Sequence, residues 1–149
     1  MKTVNKFSMT LPSRSSNEAF ARAAVSAFIL QLDPTIDEIS DIKTAVSEAV
    51  TNCIVHAYSD TIGNIYISAE IRDDNSVVIK IRDKGCGIEN IDRAMEPLFT
   101  TAGGERAGLG FAVMQSFTDN LKVRSAPGRG TVVTMRKKIS LRAGKNAAL

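Results

Sequence analysis

The segment Glu48-Ala49-Val50-Thr51-Asn52 sets a carboxylate and a carboxamide four residues apart. On an α-helix a residue four positions on is rotated by only roughly 40°, so the two side chains share one stripe. One can act as a base while the other holds a metal. Downstream come Asp83-Lys84-Gly85-Cys86-Gly87 and Gly108-Leu109-Gly110. That order of parts suits a site that hydrolyses or transfers the γ-phosphate of ATP.

Each part has its own physical reason. Magnesium prefers oxygen ligands, keeps several waters and takes one or two protein oxygens beside substrate phosphates, so the amide oxygen of Asn52 is a sufficient anchor. Glu48, one turn away, would reach the nucleophile. Asp83 closes an apolar strand and faces a loop whose Gly85 and Gly87 let the backbone approach a flat ligand. A carboxylate there can accept a hydrogen bond from the exocyclic amine of adenine. The run from Gly103 to Gly110 joins glycines to a helix start, where free N–H groups favour phosphate, and Arg106 within it could clamp the γ-phosphate bidentately. It lacks the Lys-Ser/Thr ending of a Walker loop, which disfavours that fold. Taken singly, each motif is common: Glu and Asn at this spacing occur on many surface helices, and glycine-rich loops are often plain connections.

The surrounding pattern says which elements must hold these residues. Ser15 to Glu18 offers a capping box, followed by Phe20, Ala24, Val25, Phe28 and Leu32 at helical spacing until Asp33-Pro34. Thr35 to Glu38 offers a second box. Ile39, Ile42, Val46, Ala49, Val50, Cys53 and Ala57 then trace one apolar face to about Tyr58. At about 100° per residue, the centre of that face lies well over 90° from both Glu48 and Asn52, which therefore look into a cleft or solvent. Ile65, Ile67, Ala69 and Ile71 alternate with polar residues, Asp73-Asp74-Asn75 makes a turn, and Val77, Ile79 and Ile81 resume the period of two up to Asp83. Phe111 to Phe117 reads as a helix, and Leu121 to Arg124 with Thr131 to Met135 as a last hairpin. These elements do not alternate as βαβ units. They predict an α+β fold: a two-layer sandwich, its sheet mixed but mostly antiparallel, with helices on one face.

A chain of 149 residues fits one domain with its own core, and 44% apolar with 23% charged residues is ordinary for a globular protein. No apolar run is long enough to cross a bilayer and no signal-peptide core follows Met1, so the expectation is a cytoplasmic protein with no membrane contact. Cys53 and Cys86 have neither CxxC spacing nor clustered histidines, and are read as free thiols. The net charge of +3 rests on a basic C-terminal end: from Arg136 onward there are basic residues and no acidic one, and the remaining body is slightly acidic. Residues 1–138 are expected to form the domain and 139–149 a solvated tail. No interleaved aromatics and no basic stripe are visible, so no direct nucleic-acid partner is expected.

Together, Glu48 to Asn52, Asp83 to Gly87, Pro97 to Thr101, Gly108 to Gly110 and Gly130-Thr131 resemble, in order, the nucleotide boxes of the GHKL superfamily. That superfamily contains gyrase, Hsp90, MutL, histidine kinases and bacterial anti-sigma serine kinases. The runs Gln31 to Thr35, Ser47 to Asn52 and Pro97 to Thr101 are similar to the sporulation branch of the anti-sigma kinases. The resemblance covers Ser16 to Met135 and implies the Bergerat type of ATP-binding sandwich. It also implies a serine-protein kinase that holds an RNA polymerase sigma factor inactive, usually as a homodimer, and phosphorylates an anti-anti-sigma protein.

By that resemblance Glu48 is the general base, Asn52 the Mg2+ ligand, Asp83 the adenine partner and Thr131 a second adenine contact through water. Gly85, Gly87, Gly108 and Gly110 shape the pocket, while Thr100, Thr101, Arg106 and Leu109 belong to the ATP/ADP contacts. Glu18 and Arg22 match positions that contact protein partners. The loop between Thr101 and Arg106 is shorter and richer in glycine than the family pattern. Histidine kinases commonly carry Asn where Glu48 stands, since an imidazole acceptor needs little deprotonation and a serine hydroxyl does. The sole histidine, His56, is expected to be a packing or surface residue. Three other readings remain open: a stress-response kinase of the same family, an ATP-gated binding module without kinase chemistry, and a bare ATPase.

Overall fold

The computed structural model describes residues 2–95 and 110–141. Strand β1 (Thr3–Pro12) is followed by helix α1 (Ser16–Ile29), a 3-10 turn (Leu30–Leu32) and helix α2 (Ile36–Asn52), which runs into a π-turn (Cys53–Ala57). Strands β2 (Asn64–Arg72) and β3 (Ser76–Asp83) form the first hairpin. After the short helix α3 (Ile91–Ala94) come helix α4 (Phe111–Phe117) and the hairpin of β4 (Asn120–Ala126) and β5 (Gly130–Lys138). The strands make one sheet in the order β1-β2-β3-β5-β4. Every pairing among the described residues is antiparallel, so the mixed sheet expected from the sequence is corrected to a uniform one.

The period-two pattern explains which face is covered. Ile65, Ile67, Ala69 and Ile71 of β2, Val77, Ile79 and Ile81 of β3, and Val133 and Met135 of β5 are buried together with Val25, Ile29, Ile42, Val46, Val50 and Met114 from the helices. The fold is the α+β sandwich that the sequence predicts, with helices on one face of the sheet. Strand β1 was not foreseen. It lies at a sheet edge and only half-buries Phe7, Met9 and Leu11, where the Phe28 ring stands 4.8 Å from that of Phe7.

The helices depart from expectation in three places. At the start of α1, Ser15 has helical backbone angles rather than the extended ones of a capping residue and makes no side-chain cap; the Glu18 amide bonds the Ser15 carbonyl, and the Glu18 side chain pairs with Arg22 at 3.3 Å. Phe20, expected in the core, is 55% exposed, while Ala21, Val25 and Ile29 carry the buried face. Helix α2 begins as predicted: Thr35 Oγ1 accepts from the Glu38 amide at 3.1 Å and Glu38 returns the bond to the Thr35 amide at 2.8 Å. It ends as an α-helix at Asn52, not at Tyr58, since the π-turn widens the last turn and the Tyr58 amide bonds the Cys53 carbonyl.

The domain also runs further than residue 138. Ile139 is fully buried and exchanges two hydrogen bonds with Asn75, its amide to the Asn75 carbonyl at 2.9 Å and its carbonyl from Asn75 Nδ2 at 2.6 Å. The Ser140 amide donates to Glu38 at 2.8 Å. Residues 139 and 140 thus belong to the fold, Leu141 of the expected tail is exposed, and 142–149 lie outside the described residues.

Candidate functional site

Between α2 with its π-turn and the strand ends of β3 and β5 lies a cavity of about 510 Å³, within the range of small-molecule sites. Asn52, Asp83, Gly87 and Thr131 line it, so the register that sets Asp83 opposite Thr131 brings residues from distant parts of the chain to one wall. Ala49, Ile81, Phe111 and Val133 supply apolar walls. Glu48 sits one turn before Asn52 on α2, and its carboxylate lies against the start of α4. Gly110 there has φ +70°, and a Cβ added to it would stand 2.2 Å from Glu48 Oε2. Only glycine allows both the backbone angle and the carboxylate's place.

Asp83 is buried. Its Oδ1 accepts from the Gly85 amide at 3.0 Å and its Oδ2 faces the Cys53 thiol at 3.7 Å. Burial raises its pKa above the usual aspartate range, and hydrogen bonds from Gly85, Cys53 and the Thr131 backbone partly offset that rise. The neighbouring Cys53 thiol is pushed far up by burial and by the Asp83 charge, so it remains a neutral donor. Thr131 is buried with its hydroxyl 2.8 Å from that of Ser125, which also donates to the Gly130 carbonyl and accepts from the Ile88 amide.

The loop after Asp83 is held on two sides. Its Cys86 amide donates to the Ala57 carbonyl of the π-turn at 3.2 Å, and its Cys86 carbonyl accepts from Gly128 in the β4–β5 turn at 2.7 Å. The Tyr58 hydroxyl accepts from the Lys84 amide at 2.6 Å and donates to the Asn64 carbonyl at 2.8 Å. Gly85 and Gly87 were expected to admit a ligand's close approach. Both also serve the approach of backbone to backbone, and Gly87 lines the cavity as well: a Cβ at Gly87, where φ is +76°, would stand 2.0 Å from the Ala126 carbonyl oxygen, and Gly85 packs on Ala57.

Several further residues are now located. His56, expected to pack or face solvent, is half-buried and lines the cavity. Cys53 is buried and Cys86 exposed, both free thiols as expected. Glu18 and Arg22 face each other on α1 and do not line the cavity. Thr100, Thr101, Arg106, Gly108 and Leu109 lie outside the described residues. Sequence reasoning did not find Cys53, Tyr58 or Ser125 as supports of the site. Ile81 and Val133 were legible as lining, since each lies two residues from a site residue on the same strand face.

An apolar slot with one buried carboxylate fits a flat heteroaromatic ring bearing an amine, and the Asn52 amide oxygen suits a hard cation at its edge. A sequence model of the histidine kinase-like ATPase domain matches residues 11–137. The anti-sigma F factor of Caldanaerobacter subterraneus subsp. tengcongensis is 57% identical over 140 residues, covering 93% of this chain and 97% of that relative. The chain belongs to the anti-sigma F factor family. Its likeness to the anti-sigma F factor of Clostridium beijerinckii is of the same order, 56% over 139 residues, covering 92% of this chain and 96% of that relative. Among solved structures, this anti-sigma F family fold superimposes on the crystal structure of the RsbU and RsbW domains of a Mycobacterium tuberculosis protein. The TM-score is 0.70 at 20% identity, over 94% of this chain and 34% of that one. A histidine kinase domain from Erythrobacter litoralis follows with a TM-score of 0.57 at 20% identity, over 82% of this chain and 60% of that one. At those identities the likeness is one of fold. Among the described residues no helix is long and apolar enough to cross a membrane.

Proposed function

We propose that this anti-sigma F family chain is an ATP-dependent protein serine kinase of the cytoplasm. In this reading it binds and inhibits a sporulation RNA polymerase sigma factor, works as a homodimer, and phosphorylates a serine of its anti-anti-sigma partner. The observation that carries the reading is the convergence of Asn52, Asp83 and Thr131 on one cavity, with the Glu48 carboxylate one helical turn away.

Each residue then has a task of its own. Asp83 accepts the amine of the adenine ring, and Thr131 supports that contact beside it. The amide oxygen of Asn52 would hold Mg2+. Glu48 takes the proton of the attacking serine hydroxyl onto its carboxylate, which frees the oxygen's electron pair to attack the γ-phosphorus. When bound, ATP with Mg2+ supplies the phosphoryl group and neutralises the charge that develops on it. Arg106, Thr100, Thr101, Gly108 and Leu109 are assigned to the phosphates on the family resemblance alone, and Glu18 with Arg22 to the protein partners.

The test is transfer of labelled phosphate from ATP to an anti-anti-sigma protein, read as phosphoserine. Glu48→Gln should keep ATP and sigma-factor binding while transfer falls about 100-fold or more, the lower end of what a general base contributes. Transfer at the parent rate would remove Glu48 as the base. Nucleotide-dependent sigma binding with no phosphoserine even in the parent chain would favour the ATP-gated binding module.

A further inference from the structure

The face of the sheet turned away from the helices carries a charge pattern that no linear reading of the sequence discloses. Register sets Arg82 beside Val132 and Val132 beside Arg124 in one row, and Lys80 beside Thr134 and Thr134 beside Lys122 in the next. Residues directly opposite in an antiparallel pair share a face, so the four cations stand together, about 10 Å apart across each row. All four are exposed. Just past the end of the first row, Lys84 and Arg129 flank a shallow groove of about 500 Å³ that Arg82 also lines, with the buried Asp83 and Thr131 at its floor.

Local acids answer only part of this charge. Neither row holds Asp or Glu; in the row beyond, Glu70 pairs with Arg72 at 2.8 Å and also feels the charge of Lys80, and Asp74 pairs with Arg136 at 2.9 Å. Among the described residues none of the six cations makes an ion pair. Arg82 and Lys84 lie 4.8 and 5.1 Å from the centre of one ring, that of Tyr66, which holds two like charges side by side at the groove.

We propose that this open face, anchored at the groove, docks an acidic segment of a protein partner, its carboxylates meeting the guanidinium groups bidentately. The groove at the end of these rows shares Asp83 and Thr131 with the cavity, while the four cations of the rows do not line that cavity, and the proposal does not rest on the reaction assigned there. A second copy of the chain laid face to face would oppose these rows to themselves. A single-stranded nucleic acid would need a free aromatic platform, and the one ring on these rows, Tyr66, is already covered by two cations.

Fluorescence anisotropy of a labelled octaglutamate peptide against the full chain tests it. Binding is expected at low salt and should weaken as salt rises. A K80Q/R82Q/K122Q/R124Q variant should bind about tenfold or more weakly, and R142Q/K145Q, which alters the C-terminal end, within about twofold of the parent. An unchanged melting temperature shows that the face variant has folded; if it melts early, R82Q/R124Q alone should give an intermediate loss. Three results would overturn the proposal: loss of binding only in the C-terminal variant, tighter binding of a short DNA duplex of matched charge, or a parent dimer that the face variant converts to monomer.

Discussion

Burial pushes the Asp83 carboxyl up, while the Gly85 amide, the Cys53 thiol and the Thr131 backbone pull it back. Its folded pKa therefore lies above the unfolded one, and the sign is the reverse of the usual aspartate. The ionised form costs stability at neutral pH, and stability is regained as pH falls through the raised value. Asp83→Asn removes that cost while keeping an oxygen for Gly85. The expected outcome is a melting temperature that is unchanged or higher, together with ATP binding about tenfold weaker. Calorimetry for both quantities decides it: a parent-like dissociation constant would detach Asp83 from the adenine. The same residue marks how far sequence carries. Its position at the end of an apolar strand, before a glycine loop, was legible. Its partner Cys53 was not, because the thiol comes from a helix whose apolar face gives no sign that one member meets a carboxylate.

At the scale of elements, the π-turn after α2 and the loop after Asp83 form one clamp. The Ala57 carbonyl receives the Cys86 amide, and the Tyr58 hydroxyl spans the Lys84 amide and the Asn64 carbonyl. Wide turns of this kind recur at functional sites, and here one joins the helix bearing Asn52 to the loop that follows Asp83. Tyr58→Phe keeps the ring and removes the bridge, leaving the Lys84 amide short of an acceptor. KM for ATP should rise severalfold, as loss of about one hydrogen bond implies, with kcat held. Equal losses in kcat with KM unmoved would separate Tyr58 from the nucleotide loop. Helix and strand types were readable because periods of 3.6 and 2 report a buried face. The π-turn was not, since its widening moves backbone bonds without breaking the apolar pattern. Strand β1 was missed for a related reason: an edge strand only half-buries Phe7, Met9 and Leu11, which weakens the alternation that would announce it.

For the molecule as a whole, the β2–β3 turn is a fastening point. Asp74 accepts from Ser76 and from Arg136 of β5, and these bonds, the Ser76 hydroxyl first, lower its pKa from 3.8 to about 2. A folded pKa below the unfolded one means a contribution that is full above about 3.8 and is lost as pH falls toward 2. Asp74→Asn should therefore flatten the fall of melting temperature across that window, and an unaltered slope would assign acid unfolding to other carboxylates. That the domain extends to Ser140 was hidden in sequence, because the basic run around Ile139 reads as solvated unless its bonds to Asn75 are known. The strand order has one more consequence. The two hairpins meet only where β3 lies beside β5, and Asp83 and Thr131 face each other across that line. On the ribosome, the nascent chain exposes Asn52 and Asp83 long before β5 emerges, and closing so distant a pairing is slow. A ligand of this cavity can thus stabilise only a chain in which β5 has emerged, and any pause in translation before residue 130 leaves the first hairpin with an uncovered edge.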